Sequence, residues 1–257
     1  MQLKQHLIAA AREAGKVILR IYESDFRAER KSDSSPVTEA DTAAEAVIIA
    51  ALSTAAPGIP VIAEEEVASR GAPKSAPDRF FLVDPLDGTK EFIARNGEFT
   101  VNIALIENGR PVAGVVFLPV FDTLYVAENG RAERWQGTSG PEPIVARAAP
   151  VDGLVMAISR SHADKELVKA EELGLKVTDT IVAGSSLKFC RVAEGAADLY
   201  PRFGTTMEWD TAAGQAVLEA AGGRVETIDH QPLRYGKPEF RNPHFVAYGK
   251  QRDAAAQ

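Results

Sequence analysis

A tight turn that follows an apolar run carries two carboxylates in the motif DPLDGT, which begins at Asp84. At this spacing Asp84 and Asp87 can face one point, and the Leu86 carbonyl can reach it too. Three hard oxygen ligands in one turn suit Mg²⁺. The N–H groups of Gly88 and Thr89 form an anion-binding nest if a helix or turn begins there. The alternative is a turn with solvated carboxylates, because these residue types dominate turns.

Further carboxylates occupy comparable positions. Glu64 opens a run of three glutamates directly after the apolar run IPVIA, just as Asp84 follows the run RFFLV. Two adjacent strands could therefore present acids at one edge of a sheet, where ligands bind. Three consecutive glutamates are otherwise typical of a solvated surface. Asp210 and Asp41 each stand where a helix is expected to begin, and there an acid also serves as an N-cap or first-turn residue with no catalytic role.

Hydrophobic spacing predicts the elements that position these residues. Apolar residues from Leu3 to Ile21 recur at helical spacing, which predicts an amphipathic helix rather than a signal peptide. Residues 24–37 are polar and predict a loop, and Thr38 and Asp41 match a capping box. The other predicted elements are helices at 40–55, 163–173, 186–195 and 211–221, and strands at 59–63, 79–83, 99–107, 111–118, 122–127, 154–158, 176–182 and 197–202.

This order of elements predicts a layered α/β fold, because a meander of strands with early helices precedes an alternation of strands and helices. We expect one domain over residues 1–257. It would comprise an N-terminal α+β half of about 1–140 and a C-terminal α/β half of about 150–250.

Composition narrows the class of protein. The 257 residues are 45% hydrophobic and 25% charged, as in soluble globular proteins, which excludes a disordered chain and a collagen-like fibre. Cys190 is the one cysteine, so there is no internal disulfide, and we expect it in the core. The net charge of −7 argues against non-specific nucleic-acid binding. No apolar run approaches the roughly 18 residues of a membrane span. We expect a cytoplasmic protein, with contact to the inner membrane surface left open.

Four motifs in this order resemble the lithium-sensitive, magnesium-dependent phosphatases of the inositol monophosphatase superfamily: VTEAD, AEE, LVDPLDGTKEF and WDTAAG. The segments ISRSHAD at 158–164 and GSSLKFCRVAEGAADLYPRFG at 184–204 are closer still to 3′(2′),5′-bisphosphate nucleotidases of the bacterial CysQ type. The resemblance extends from about residue 5 to residue 248.

The resemblance implies an αβαβα layered sandwich and a metal-dependent reaction without a covalent phospho-enzyme. Thr89, paired with Asp41 or Glu64, would orient and deprotonate the attacking water. The family alignment favours Glu64 over Glu65 as the ligand from the glutamate run. The implied ligands of two or three Mg²⁺ ions are Glu64, Asp84, the Leu86 carbonyl, Asp87 and Asp210.

Substrate choice would lie in the second half of the chain. Ser185 at a helix N-terminus with Lys188 one turn on is a suitable cradle for a second phosphate, and Arg202 could add a bidentate contact. The alternative is that Ser185 only caps the helix and Lys188 is solvated. His162 is a candidate through the resemblance alone. The full substrate-binding set is Glu64, Leu86, Asp87, Gly88, Thr89, His162, Ser185, Lys188, Arg202 and Asp210.

The expected activity is removal of the 3′-phosphate of adenosine 3′,5′-bisphosphate (PAP) to leave AMP, with PAPS as a second substrate. The alternative within the superfamily is hydrolysis of inositol or sugar phosphates, which need no second-phosphate cradle. An aspartyl-phosphate phosphatase is excluded, because its nucleophilic motif spaces the two acids differently. A non-catalytic anion-binding module is disfavoured, because every acidic candidate is present. The nucleotide bisphosphate is the one expected partner, and the choice between monomer and homodimer stays open.

Overall fold

The computed structural model describes residues 3–26, 28–30, 36–160 and 163–251. Its helices lie close to the sequence predictions, except for two short helices at 64–70 and 89–93 that the sequence did not predict. The α-helices are α1 (Leu3–Tyr22), α2 (Glu39–Ala55), α3 (Glu64–Arg70), α4 (Thr89–Ile93), α5 (Ala163–Glu172), α6 (Leu187–Ala193) and α7 (Ala212–Ala220).

The strands form two large sheets and a small hairpin. The seven-stranded sheet has the order β3-β4-β5-β6-β7-β8-β9 and the five-stranded sheet the order β11-β10-β12-β14-β13, while β1 pairs with β2. The strands are β1 (Ala28–Arg30), β2 (Pro36–Thr38), β3 (Val61–Ala63), β4 (Arg79–Asp87), β5 (Thr100–Glu107), β6 (Arg110–Leu118), β7 (Thr123–Glu128), β8 (Arg131–Gln136), β9 (Glu142–Pro143), β10 (Leu154–Ile158), β11 (Val177–Val182), β12 (Leu199–Arg202), β13 (Arg224–Thr227) and β14 (Phe245–Tyr248).

Five layers follow from the packing and confirm the predicted αβαβα sandwich. Helices α1 and α2 cover one face of the seven-stranded sheet, and α7 covers the other with α6 beside it. Helix α6 contacts the five-stranded sheet, whose outer side is covered by α5. Two glycines allow close layer contact, because a Cβ at Gly15 of α1 would lie 2.4 Å from Phe117, and one at Gly114 of β6 would lie 3.1 Å from the Ala213 backbone of α7.

The core is divided by the seven-stranded sheet. Alternate residues of β4 face opposite sides. Phe81 and Val83 pack under α1 and α2, whereas Phe80 and Leu82 pack towards α6 and α7. The hydrophobic cluster on the side of α6 and α7 also contains residues of the five-stranded sheet. Cys190, which was predicted to lie in the core, is fully buried in this cluster. The single-domain organisation stays a prediction that this shared core favours.

Several predicted boundaries are wrong. The expected loop at 24–37 contains β1 and β2, which pair antiparallel. Strand β4 continues through the carboxylate motif to Asp87, because it re-pairs with β5 after an irregularity between Asp84 and Asp87. Helices α3 and α4 and strands β8, β9, β13 and β14 were not predicted, and the Ala-rich tail at 253–257 lies outside the described residues. In the part of the chain that is described, no helix is long and apolar enough to cross a membrane.

Candidate active site

Three carboxylates converge at one edge of the seven-stranded sheet. Strands β3 and β4 are parallel neighbours, so the residue after β3, Glu64, comes close to Asp84 near the end of β4. Asp210 arrives from the turn before α7. One carboxylate oxygen from each of the three lies within 4.8 Å of the others. We call Glu64, Asp84 and Asp210 the acidic wall.

The electrostatics of the acidic wall favour a cation. Burial raises the pKa of Asp84 well above its usual range, and the charges of Glu64 and Asp87 raise it further. Burial likewise raises the pKa of Asp210, with Asp87 and Glu64 adding to the effect. Crowded carboxylates that repel one another are the donor set that a hard divalent cation prefers. The residues present therefore fit a metal ion.

Asp87 points from the same turn towards α6. Its Oδ2 accepts hydrogen bonds from the Ser185 hydroxyl at 2.5 Å and from the Ser186 N–H at 2.7 Å. Among the described residues Asp87 is not part of the three-carboxylate group, although it borders the same cavity. The Leu86 N–H donates to Asp84 Oδ1 at 3.0 Å, which fixes the orientation of that carboxylate. The structure thus brings the whole predicted turn to one place.

Thr89 and Asp41 meet as the sequence suggested. The Thr89 hydroxyl donates to Asp41 Oδ1 at 3.3 Å. The other oxygen, Asp41 Oδ2, accepts from both the N–H and the hydroxyl of Thr38 at 2.8 Å, so the capping box is also present. Asp41 is only 2% exposed, and its two oxygens serve a helix cap and Thr89 at once. Gly88 adopts a left-handed φ of +91°, and α4 begins at Thr89.

The opposite side of the cavity is positively charged. Lys188 is 3% exposed, and its Nζ donates to the Ser185 carbonyl at 2.7 Å and lies 5.2 Å from the Tyr200 ring centroid. Burial lowers the pKa of Lys188 to about 8. Arg202 Nη1 lies 3.9 Å from Glu166, and the buried Nε of Arg202 has no hydrogen-bond partner among the described residues. We call Lys188 and Arg202 the cationic wall.

Three structural alternatives from the sequence are wrong. Lys188 is buried rather than solvated. Ser186, not Ser185, is the N-cap of α6 and makes no side-chain cap bond. Thr211 rather than Asp210 is the N-cap of α7, and Asp210 Oδ2 instead accepts the Met207 N–H at 2.8 Å.

The two walls line one cavity of about 340 Å³, a size typical of a small-molecule site. Every predicted site residue lines it except Asp41, which lies behind Thr89, and His162, which lies outside the described residues. Glu65, the second candidate from the glutamate run, lines a separate groove between α2 and α3. Four further lining residues belong to the two segments that carry the nucleotidase resemblance: Ser159, Arg160, Gly184 and Ser186. The lining residues that the sequence analysis missed are Lys90, Glu91, Tyr200, Thr206 and Thr211.

Glu45 is a further missed residue, and it supports the acidic wall from behind. Its Oε2 accepts the Glu65 N–H at 2.7 Å, so α2 supplies an acceptor to the first turn of α3. Ala63, the N-cap of α3, has no side chain able to do this. Glu45 is buried four residues after Asp41, and burial raises its pKa to about 7. That spacing of two acids on the buried face of α2 is a signal that the sequence contained.

With this geometry established, comparison with known proteins decides the family. The inositol monophosphatase family model matches residues 1–256. The chain belongs to the inositol monophosphatase family. Within it, the chain is 50% identical over 239 residues to the 3′(2′),5′-bisphosphate nucleotidase CysQ of Shigella flexneri, a match that covers 91% of this chain and 95% of the relative.

Solved structures of the family share the fold. A CysQ crystal structure from Bacteroides thetaiotaomicron superposes with a TM-score of 0.79 at 40% identity, covering 97% of both chains. An inositol monophosphatase from Zymomonas mobilis gives a TM-score of 0.76 at 26% identity, covering 96% of this chain and 92% of that one. The family resemblance predicted from the four acidic motifs is confirmed.

Proposed function

We propose that this chain is a 3′(2′),5′-bisphosphate nucleotidase that hydrolyses the 3′-phosphate of PAP to leave AMP, and that it also accepts PAPS. One observation carries the proposal: a single cavity is lined both by a carboxylate cluster around the buried Asp84 and by two cations, the buried Lys188 and the partly buried Arg202. Hydrolysis of a monophosphate ester needs only the carboxylate cluster. A second phosphate on the substrate gives the cationic wall a partner. The 50% identity to a protein named as such a nucleotidase supports the same assignment.

The acidic wall is the proposed metal centre. Glu64, Asp84 and Asp210, with Asp87 and the Leu86 carbonyl from the same turn, would hold two or three Mg²⁺ ions. Bound there, Mg²⁺ would lower the pKa of a water molecule and offset the charge that develops on the phosphate and the leaving oxygen. The raised pKa values of Asp84 and Asp210 support this role, because these carboxylates gain most from a neutralising cation.

Thr89 and Asp41 are the proposed proton acceptors for the attacking water. Thr89 lines the cavity, and its hydroxyl lies within hydrogen-bond distance of two acceptors, Asp41 Oδ1 at 3.3 Å and the Leu86 carbonyl at 3.5 Å. Asp41 is fixed by the capping box, so the acceptor direction of the Thr89 oxygen is set before substrate arrives. Glu64 is the alternative partner of Thr89. The N–H groups of Gly88 and Thr89 would bind oxygens of the reacting phosphate.

The cationic wall is the proposed site for the phosphate that is not cleaved. Lys188 supplies a cation, and the unpartnered Nε of Arg202 supplies a donor without loss of an existing hydrogen bond. Ser185, in the turn before α6, would complete this cradle, and His162, outside the described residues, is proposed as a further contact. Arginine suits this task, because its planar fork matches phosphate oxygens.

The test is phosphate release from PAP and from inositol 1-phosphate in parallel, with Mg²⁺ and with a chelator. We expect Mg²⁺-dependent release with kcat/KM at least roughly tenfold higher for PAP, since a charged hydrogen bond to the second phosphate contributes about 1.5–3 kcal/mol. Preference for the inositol ester would keep the metal centre but overturn the role of the cationic wall. Release from neither compound would favour a non-catalytic anion-binding protein.

A further inference from the structure

The residues 184–186, which join β11 to α6, are held in an unfavourable backbone conformation. Ser185 has a φ of +53°, a left-handed value that a residue with a Cβ rarely adopts. Gly184 is confined as well, because a Cβ there would lie 2.7 Å from the Glu98 carbonyl. Strained residues persist only where the surroundings over-determine them. The contacts around residues 184–186 show what supplies that restraint.

Three polar side chains make these contacts. They lie on one face of β5 and of the residues just before it. Glu98, Thr100 and Asn102 alternate in sequence, so they project to the same side of the strand. The intervening residues 99, 101 and 103 are apolar and pack under α1 and α2. Glu98 Oε2 accepts the Gly184 N–H at 2.9 Å. The consecutive residues 184–186 are thus hydrogen-bonded by the alternate residues 98, 100 and 102.

One arrangement of the hydroxyl protons in this network connects Asn102 to Asp87, and it leaves the 2.8 Å contact between the Thr100 and Ser186 oxygens without a proton of its own. The Ser185 hydroxyl donates to Asp87 Oδ2, so in its 2.5 Å contact with Thr100 Oγ1 the proton comes from Thr100. Thr100 Oγ1 in turn accepts from Asn102 Nδ2 at 3.2 Å. The Ser186 hydroxyl donates to Asn102 Oδ1 at 2.7 Å and lies 2.8 Å from Thr100 Oγ1. A chain of donors therefore runs from Asn102 through Thr100 and Ser185 to Asp87.

Burial strengthens the hydrogen bonds of this network and favours one geometry for it. Thr100, Asn102 and Ser186 are 0%, 1% and 2% exposed, so water does not compete for their hydrogen bonds. In such surroundings each polar group that loses its partner is costly, and a fully satisfied network holds one geometry. The network ends on Asp87 at the acidic wall, and its segment leads directly to Lys188 at the cationic wall.

We propose that Thr100 and Asn102 are positioning residues that set the place of the second-phosphate cradle relative to Asp87. Thr100 directs the Ser185 hydroxyl, and Asn102 holds Thr100 and Ser186 in register. The distance between the sites for the two phosphates is then set by β5 and not by α6 alone. The kinetic consequence rests on the proposed function, whereas the structural consequence, protection of residues 184–188, does not.

The test compares Thr100→Val, which removes the hydroxyl at nearly constant volume, with Thr100→Ser, which keeps it. The matched control is Thr123→Val, since Thr123 is also a buried threonine of the same sheet but bonds Gln136 and the Phe121 carbonyl. For Thr100→Val we expect a roughly tenfold rise in KM for PAP, corresponding to one lost hydrogen bond to a charged network. Activity on adenosine 3′-monophosphate, which lacks the second phosphate, should change less than about twofold. Thr100→Ser and Thr123→Val should match the wild type.

A second readout needs no substrate. Amide hydrogen exchange of the metal-free protein should be roughly tenfold faster over residues 184–188 in Thr100→Val, and unchanged in Thr100→Ser and Thr123→Val. Equal exchange and equal KM in Thr100→Val and wild type would overturn the proposal, as would equal impairment by Thr100→Ser, which indicates packing. If Thr100→Val does not fold, Thr100→Ala gives the same comparison. A wild type inactive on PAP would refute the proposed function, and hydrogen exchange would still decide this inference.

Discussion

The two walls of the cavity are charged oppositely, yet burial perturbs both in the same sense. It disfavours the ionised form of each group, so the pKa values of Asp84 and Asp210 rise and that of Lys188 falls. The acidic wall comes from the seven-stranded sheet and the turn before α7. The cationic wall comes from α6 and β12 of the five-stranded sheet.

The walls differ in how their charges are held. The carboxylates of the acidic wall face one another and are oriented by backbone N–H groups, such as that of Leu86 on Asp84. Lys188 is instead held by carbonyl oxygens and an aromatic ring, and Arg202 keeps a buried donor unused. Under the proposed function the two walls would divide the work: a cation would complete the acidic wall, where the reaction occurs, and the second phosphate would complete the cationic wall, which selects the substrate.

The largest effect should come from removing one charge of the acidic wall. Asp84→Asn keeps the shape and an acceptor for the Leu86 N–H, but it weakens metal binding. We expect kcat on PAP to fall by roughly 10³-fold or more, because a metal supplies several kcal/mol to such a transition state. The melting temperature without metal should be unchanged or higher, because Asp84→Asn relieves repulsion.

Glu65→Gln is the matched control for that experiment. Glu65 belongs to the same glutamate run as Glu64 but lines the groove between α2 and α3. Its activity should stay within about twofold of wild type, the usual range for surface changes. Loss of activity in Glu65→Gln, or activity of Asp84→Asn within tenfold of wild type, would contradict the composition of the acidic wall.

A smaller and more selective effect should follow from changing the cationic wall. Lys188→Met fills the same space without charge, and we expect KM for PAP to rise by roughly 10- to 100-fold, the range for a lost charged hydrogen bond. Adenosine 3′-monophosphate should be affected less than about twofold. Lys90→Met is the control, because Lys90 lines the same cavity but is exposed. Equal losses on both substrates would mean that Lys188 does not bind the second phosphate.

Two members of the acidic wall, Glu64 and Asp84, could be proposed from local signals, whereas Asp210 entered as a ligand only through the family resemblance. Apolar runs that end in carboxylates mark strand ends, and glycine marks the turn that follows. The extension of β4 through Pro85 to Asp87 could not be predicted, because it depends on renewed pairing with Thr100 of β5 after an irregularity in register. The pairing of β1 with β2 could not be predicted for a different reason, since their polar residues gave no alternating pattern.

The residues that position the site were harder to predict than the residues that line it. Thr100 and Asn102 lie inside an apolar run, where they are typical of an ordinary strand. Their hydrogen bonds to the site exist only because residues 184–186 approach them from another layer. The burial of Lys188 could not be predicted either. From the sequence alone, this position of the helix could lie in the core or at the surface. Side-chain environments of this kind arise from contacts between layers, which no single segment encodes.

The smallest predicted effect, a pH dependence, separates the walls without mutation. Burial lowers the pKa of Lys188 to about 8, so in the free enzyme Lys188 is a cation below that pH and neutral above it. Attraction for the second phosphate is therefore present below about pH 8 and lost as the pH rises through it. Because kcat/KM reports groups of the free enzyme, kcat/KM for PAP should fall several-fold between roughly pH 7 and 9.5. Adenosine 3′-monophosphate should lack this decline, since it does not use Lys188.

Lys188→Met identifies the group that titrates. If Lys188 is responsible, the decline of kcat/KM for PAP disappears in this variant, and the remaining pH profile follows that of the monophosphate. A decline that persists in Lys188→Met, or that occurs equally with both substrates, belongs to the metal centre or its water. In that case the cationic wall would bind its phosphate through Arg202, whose guanidinium stays charged throughout this range.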